Sequence, residues 1–73
     1  MTDNDLVLRT THQRVTTVTL NRPEALNALS TGMKNAIITC FEALRDDHDT
    51  DVIILTGAGR SFTAGLDLKE LGQ

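Results

Sequence analysis

Apolar and polar positions alternate in three ways along this chain, and each way predicts an element. Residues 6–11 (LVLRTT) and 14–20 (RVTTVTL) are short runs rich in Val, Leu and Thr, which predict two strands. A turn at His12 and Gln13 would let them pair antiparallel, although neither Gly nor Asn favours a tight hairpin there. Met33, Ile37, Cys40, Phe41 and Leu44 then recur at helical spacing, with Lys34, Glu42 and Arg45 off that stripe. Ser30 or Thr31 suits the start of this helix and Arg45 its end. Residues 52–55 (VIIL) form a continuous apolar run, the pattern of a strand buried on both faces. A short helical pattern occupies 66–71.

Strand, helix and buried strand between Arg14 and Thr56 make a β-α-β unit, whose two strands should lie parallel. The fold class is therefore α/β. One helix covers one sheet face, and only the short terminal helix is left for the other. The architecture is expected to be incomplete at Gln73, with residues 1–73 forming part of one domain. The segment 21–24 (NRPE) breaks the second strand. Pro23 suits a turn or the first position of a short helical turn through Ala25 and Leu26. The acidic run 46–51 (DDHDTD) suits a solvated loop past the helix, since carboxylates are unfavourable at a helix C-terminus. Its residues are consecutive and lack EF-hand spacing, so no metal is expected.

Composition narrows the picture. Seventy-three residues with two Phe and no Trp or Tyr allow one small domain with a modest core. The single cysteine, Cys40, excludes an internal disulfide and reads as a structural thiol on the apolar helix face. The net charge of -3 argues against a nucleic-acid partner. No apolar run reaches membrane-spanning length, and the first ten residues lack a signal-peptide pattern. A soluble, cytoplasmic protein without a membrane partner is the expectation.

The candidate chemistry lies in 51–71 (DVIILTGAGRSFTAGLDLKEL). A strand runs into a loop containing Gly57, Gly59 and Gly65, and a helix is expected to start after Gly65. Glycines let a ligand approach the main chain, and a helix start presents unpaired N–H groups to a negative oxygen. The dinucleotide fingerprint fails because Phe62 stands at its third glycine position, and no register supplies a Walker Gly-Lys-Ser/Thr.

The stretch 56–71 (TGAGRSFTAGLDLKEL) resembles the oxyanion-hole segment of the crotonase, or enoyl-CoA hydratase/isomerase, superfamily. The stretch 21–30 (NRPEALNALS) resembles the same family's first coenzyme A-contacting segment. The resemblance covers about residues 6–71 and implies the N-terminal part of a crotonase-like ββα spiral fold. It implies an acyl-CoA substrate, with coenzyme A as part of that substrate and no separate cofactor. It implies enoyl-CoA hydratase (lyase) or isomerase chemistry of the fatty-acid-metabolism type, with trimers or hexamers common. Through it, the Leu66 backbone N–H becomes one oxyanion donor. Ala25, Leu26, Ala28, Ala64, Gly65, Leu66, Asp67, Leu68 and Lys69 become the coenzyme A and thioester wall.

For Arg22 and Lys69 a solvated charge is the plainer reading than a phosphate contact. Asp67 suits a helix start, and Glu70 suits solvent better than general-base duty. The second donor and the acid/base residues come in the family from further along the polypeptide. The chain alone is therefore expected to be inactive. The alternative is a truncated or split, non-catalytic remnant that binds coenzyme A weakly or pairs with a downstream chain.

Overall fold

The computed structural model describes residues 5–67 and 69. Strand β1 (Val7–His12) pairs antiparallel with β2 (Val15–Leu20), in a register that sets Val7 opposite Leu20 and His12 opposite Val15. The turn between them is Gln13 and Arg14, one residue later than expected, with φ of 51° and 68°. Two successive left-handed residues make the hairpin twist that suits paired strands. Here they are neither Gly nor Asn, and tertiary bonds hold Arg14 instead. The Arg14 guanidinium spans both Asp51 carboxylate oxygens at 2.7 and 3.0 Å and donates to the His48 carbonyl at 2.7 Å. That bidentate bond holds the Asp51 carboxyl below its ordinary range and raises Arg14.

Helix α1 (Thr31–Arg45) begins where the Ser30 hydroxyl accepts the Met33 N–H at 3.1 Å. It ends at Arg45, and the acidic run follows it as a loop. There Asp47 accepts the Asp49 N–H and the Thr50 hydroxyl, which lower its pKa. Thr50 Oγ1 lies 2.6 Å from Thr16 Oγ1, which lies 2.7 Å from Thr11 Oγ1. A hydroxyl has one proton to give. With Thr50 donating to Asp47, Thr16 must donate to Thr50 and Thr11 to Thr16. This directed chain satisfies Thr16, which is fully buried.

Strand β3 (Val52–Gly57) lies parallel to β2, with Val18 opposite Leu55, and the sheet order is β1-β2-β3. Helix α1 lies against β1, and Val18, Leu20, Met33 and Leu44 form the buried core. Of the helical stripe, Ile37, Cys40 and Phe41 are half-buried.

The expectation that 52–55 is buried on both faces is not met. Val52, Ile53, Ile54 and Leu55 are 53%, 37%, 48% and 41% exposed. The reason is position: β3 is an outer strand with one neighbour, and α1 packs against β1, at the opposite edge of the sheet.

Candidate functional site

Two loops meet beyond the C-terminal ends of β2 and β3. The first follows β2 and opens with a 3-10 turn, Pro23–Ala25. The Pro23 ring suits the first position of such a turn, where no N–H is needed. The turn closes through the Leu26 N–H on the Pro23 carbonyl at 3.0 Å. Leu26 and Asn27 are then both left-handed, with φ of 53° and 55°. For L-residues this costs roughly 1–2 kcal/mol each, so something must hold them.

Asn27 holds them. It is fully buried, and both polar atoms of its side chain are hydrogen-bonded. Oδ1 accepts the Arg22 N–H at 2.7 Å, and Nδ2 donates to the Ala58 and Ser61 carbonyls at 2.9 Å each. The second loop, after β3, is thereby fastened to the first. Its close approach at Gly57 leaves no room for a side chain: a Cβ there would collide with the Ser61 and Phe62 backbone.

The loops then zip together. The Ala64 N–H donates to the Leu26 carbonyl at 2.9 Å and the Leu29 N–H to the Gly65 carbonyl at 2.7 Å. Leu29 and Leu66 form a parallel β-bridge. The C=O and N–H of one trans peptide point in opposite directions. With the Gly65 carbonyl aimed at Leu29, the Leu66 N–H of that same peptide is aimed away from Leu29. It meets no acceptor among the described residues. Accepting a bond at the carbonyl also polarises the peptide and strengthens its N–H as a donor.

A cavity of about 600 Å3 lies beside this junction, lined by Arg22, Ala25, Ala28, Ala64, Leu66, Asp67 and Lys69. That volume is in the range of small-molecule sites. Of the residues expected in the coenzyme A and thioester wall, Ala25, Ala28, Ala64, Leu66, Asp67 and Lys69 come together here. Leu26 and Gly65 do not line it; their carbonyls accept the Ala64 and Leu29 N–H groups that join the two loops. Leu68 and Glu70 fall outside the described residues.

The helix expected directly after Gly65 does not start there. Leu66 is in the bridge, and Asp67 Oδ1 accepts the Lys69 N–H at 3.0 Å, as a capping side chain does. Leu66 is therefore an extended, bridged residue and not the first residue of a helix. Arg22 lies 3.5 Å from Asp67 and 3.9 Å from Glu24, so its charge is partly matched within the chain.

Asn27 and Thr63 were not singled out from the sequence. Thr63 Oγ1 donates to the Asn27 carbonyl at 2.7 Å and accepts the Gly65 N–H at 3.1 Å. An Asn among loop residues, which tolerates left-handed φ, and a Thr two residues before a Gly were the available signals. Among the described residues, no group of three or more His, Cys, Asp or Glu could hold a metal, and no helix is long and apolar enough to cross a membrane.

The profile of the enoyl-CoA hydratase/isomerase family matches residues 10–73. The chain belongs to that family. A probable enoyl-CoA hydratase of Mycobacterium tuberculosis is 46% identical over 61 residues, which are 84% of this chain and 24% of that protein. The mitochondrial Delta(3,5)-Delta(2,4)-dienoyl-CoA isomerase of Mus musculus is 36% identical over 56 residues, or 77% of this chain and 17% of that protein. A crystal structure of enoyl-CoA hydratase from Mycobacterium tuberculosis superposes with a TM-score of 0.86 at 48% identity, over 93% of this chain and 31% of that one. The fold is thus the N-terminal part of the crotonase fold. The chain spans about a quarter of the length of the curated relatives it matches.

Proposed function

We propose that this chain supplies the oxyanion loop and one wall of the coenzyme A site in an enoyl-CoA hydratase/isomerase-type enzyme. The substrate is an acyl-CoA thioester. As an enolate-like state develops, its carbonyl oxygen gains negative charge and draws on the Leu66 N–H. A donor fixed in advance stabilises that charge more than it stabilises the ground state. The observation that carries this reading is the Gly65–Leu66 peptide. Its carbonyl is bound by Leu29, and its N–H is turned the other way at the wall of a cavity of about 600 Å3. Ala25, Ala28 and Ala64 keep that wall low enough for a thin, flexible ligand arm to lie along it.

A second reading is favoured by the exposed β3. In it, the chain is a non-catalytic part that binds coenzyme A weakly or joins a complementary polypeptide. Hydratase and isomerase relatives share this segment, so the reaction type is decided elsewhere.

Titration with crotonyl-CoA, alongside a turnover assay, separates these readings. Saturable binding that Gly65→Pro abolishes supports the acyl-CoA site. Absence of binding by the wild-type chain sinks it. Turnover by the chain alone, lost in Gly65→Pro, would overturn the non-catalytic reading.

A further inference from the structure

We infer that Thr63 is the residue that positions the Leu66 donor, through its hydroxyl; the inference rests on the oxyanion role proposed above. Gly65 sits at φ of 92°, and a Cβ placed there would meet nothing within 4 Å. Steric contact therefore does not fix the backbone on that side of Gly65. A glycine in open space rotates readily, and a donor that rotates loses the advantage of being fixed in advance.

Two hydrogen bonds restrain it, one on each side. The peptide after Gly65 is held by the Leu29 N–H at 2.7 Å. The peptide before it is held at its N–H by Thr63 Oγ1 at 3.1 Å. The same hydroxyl gives its proton to the Asn27 carbonyl at 2.7 Å. One proton and two lone pairs allow both bonds at once. Asn27 is itself immobilised by its buried amide. The restraint on Gly65 is thus anchored in the most tightly bonded residue of the site. Thr63 does not line the cavity, so it acts on the donor and not on the ligand.

The test compares Thr63→Val, which keeps the shape and removes the hydroxyl, with Thr63→Ser, which keeps the hydroxyl. In the 15N-labelled chain, Thr63→Val is expected to move the Gly65 and Leu66 amide resonances and leave those of Val18 and Leu55 in place. It should weaken crotonyl-CoA binding by about fivefold, the size expected for one lost hydrogen bond. Thr63→Ser should restore both. A general loss of structure would instead move the sheet amides as well.

The inference is overturned if Thr63→Val leaves the Leu66 resonance and the affinity unchanged, or if Thr63→Ser fails to restore them. If wild type binds and Thr63→Val binds equally well, Thr63 loses its role and the acyl-CoA reading stands. If wild type fails to bind crotonyl-CoA, the acyl-CoA reading falls and the inference falls with it.

Discussion

Asn27 reaches Ser61 across 34 residues of sequence, its Nδ2 donating to the Ser61 carbonyl at 2.9 Å. With the Ala58 and Arg22 bonds it makes one buried amide the rivet between both site loops. Asn27→Ala strands several polar groups around a void. Each buried group left unpaired costs about 1–3 kcal/mol. We expect a loss of roughly 3 kcal/mol, with a lowered urea midpoint and an unchanged slope.

Gly57 and Gly32 should respond to alanine in opposite directions. At Gly57 a Cβ runs into the Ser61 and Phe62 backbone, which cannot step aside without moving the loop. Gly57→Ala should cost about 1–3 kcal/mol. Gly32 lies in the first turn of α1, where a Cβ would rest 3.5 Å from Leu6 Cδ1. Gly32→Ala should stabilise by about 0.5–1 kcal/mol. Paired thermal melts check both.

The hairpin carries strain that a better turn residue should relieve. Gln13 is left-handed at φ of 51°, a conformation Asn tolerates better. Gln13→Asn should raise the melting temperature by a few degrees, at about 6 °C for each kcal/mol in a domain this size. Arg14 should not be changed alongside it, since Arg14 also bridges to Asp51.

Acid should loosen the start of β3. Asp51 and Asp47 both have lowered pKa values, Asp51 through the Arg14 hydrogen bond and Asp47 through the Asp49 N–H and Thr50 hydroxyl. A carboxyl lowered in the folded state stabilises above its unfolded value, about 3.9 for Asp, and loses that contribution as pH falls through the folded value. The urea midpoint should hold from about pH 7 to about pH 5 and fall below that. Asp51→Asn should be less stable than wild type near neutrality and show a shallower acid fall. Arg14, raised above its ordinary value, stays charged throughout this window.

Exposed β3 should drive association. Ile53 and Leu55 share a sheet face with buried Thr16 and Val18, while Val52 and Ile54 occupy the opposite face. An outer strand apolar on both faces, with no charge or Pro in it, is a template for pairing. Ile54→Lys should lower light scattering at high concentration. Unchanged scattering would show that β3 is not the sticky surface.

The sequence made the elements legible because their signals are local. The Ser30 cap, the Met33–Leu44 stripe, the Pro23 turn and the parallel pairing of β2 with β3 all follow from spacing or residue type. What was not legible depends on partners distant in the chain. The turn sits one residue late because Arg14 is held by Asp51, 37 residues away. The exposure of β3 reflects sheet order, which apolar content cannot report. The extended state of Leu66 was hidden because Leu29, far back in the chain, claims it in a bridge. Among site residues, the small alanines were visible through the family motif. Asn27 and Thr63 were not, because their importance lies in carbonyls they meet only after folding.

The Leu29–Leu66 bridge also orders events in time. It closes a loop that contains all of α1 and β3. Closing that span in a disordered chain carries a loop entropy that grows with its length. Once β3 has docked on β2, only the few residues past Gly57 remain to be ordered, and closure becomes cheap. The Gly65–Leu66 peptide is then expected to be the last part to assemble and the first to open. Protease nicks near Ala64 should precede any cut in the sheet, so the site can breathe while its scaffold stays shut.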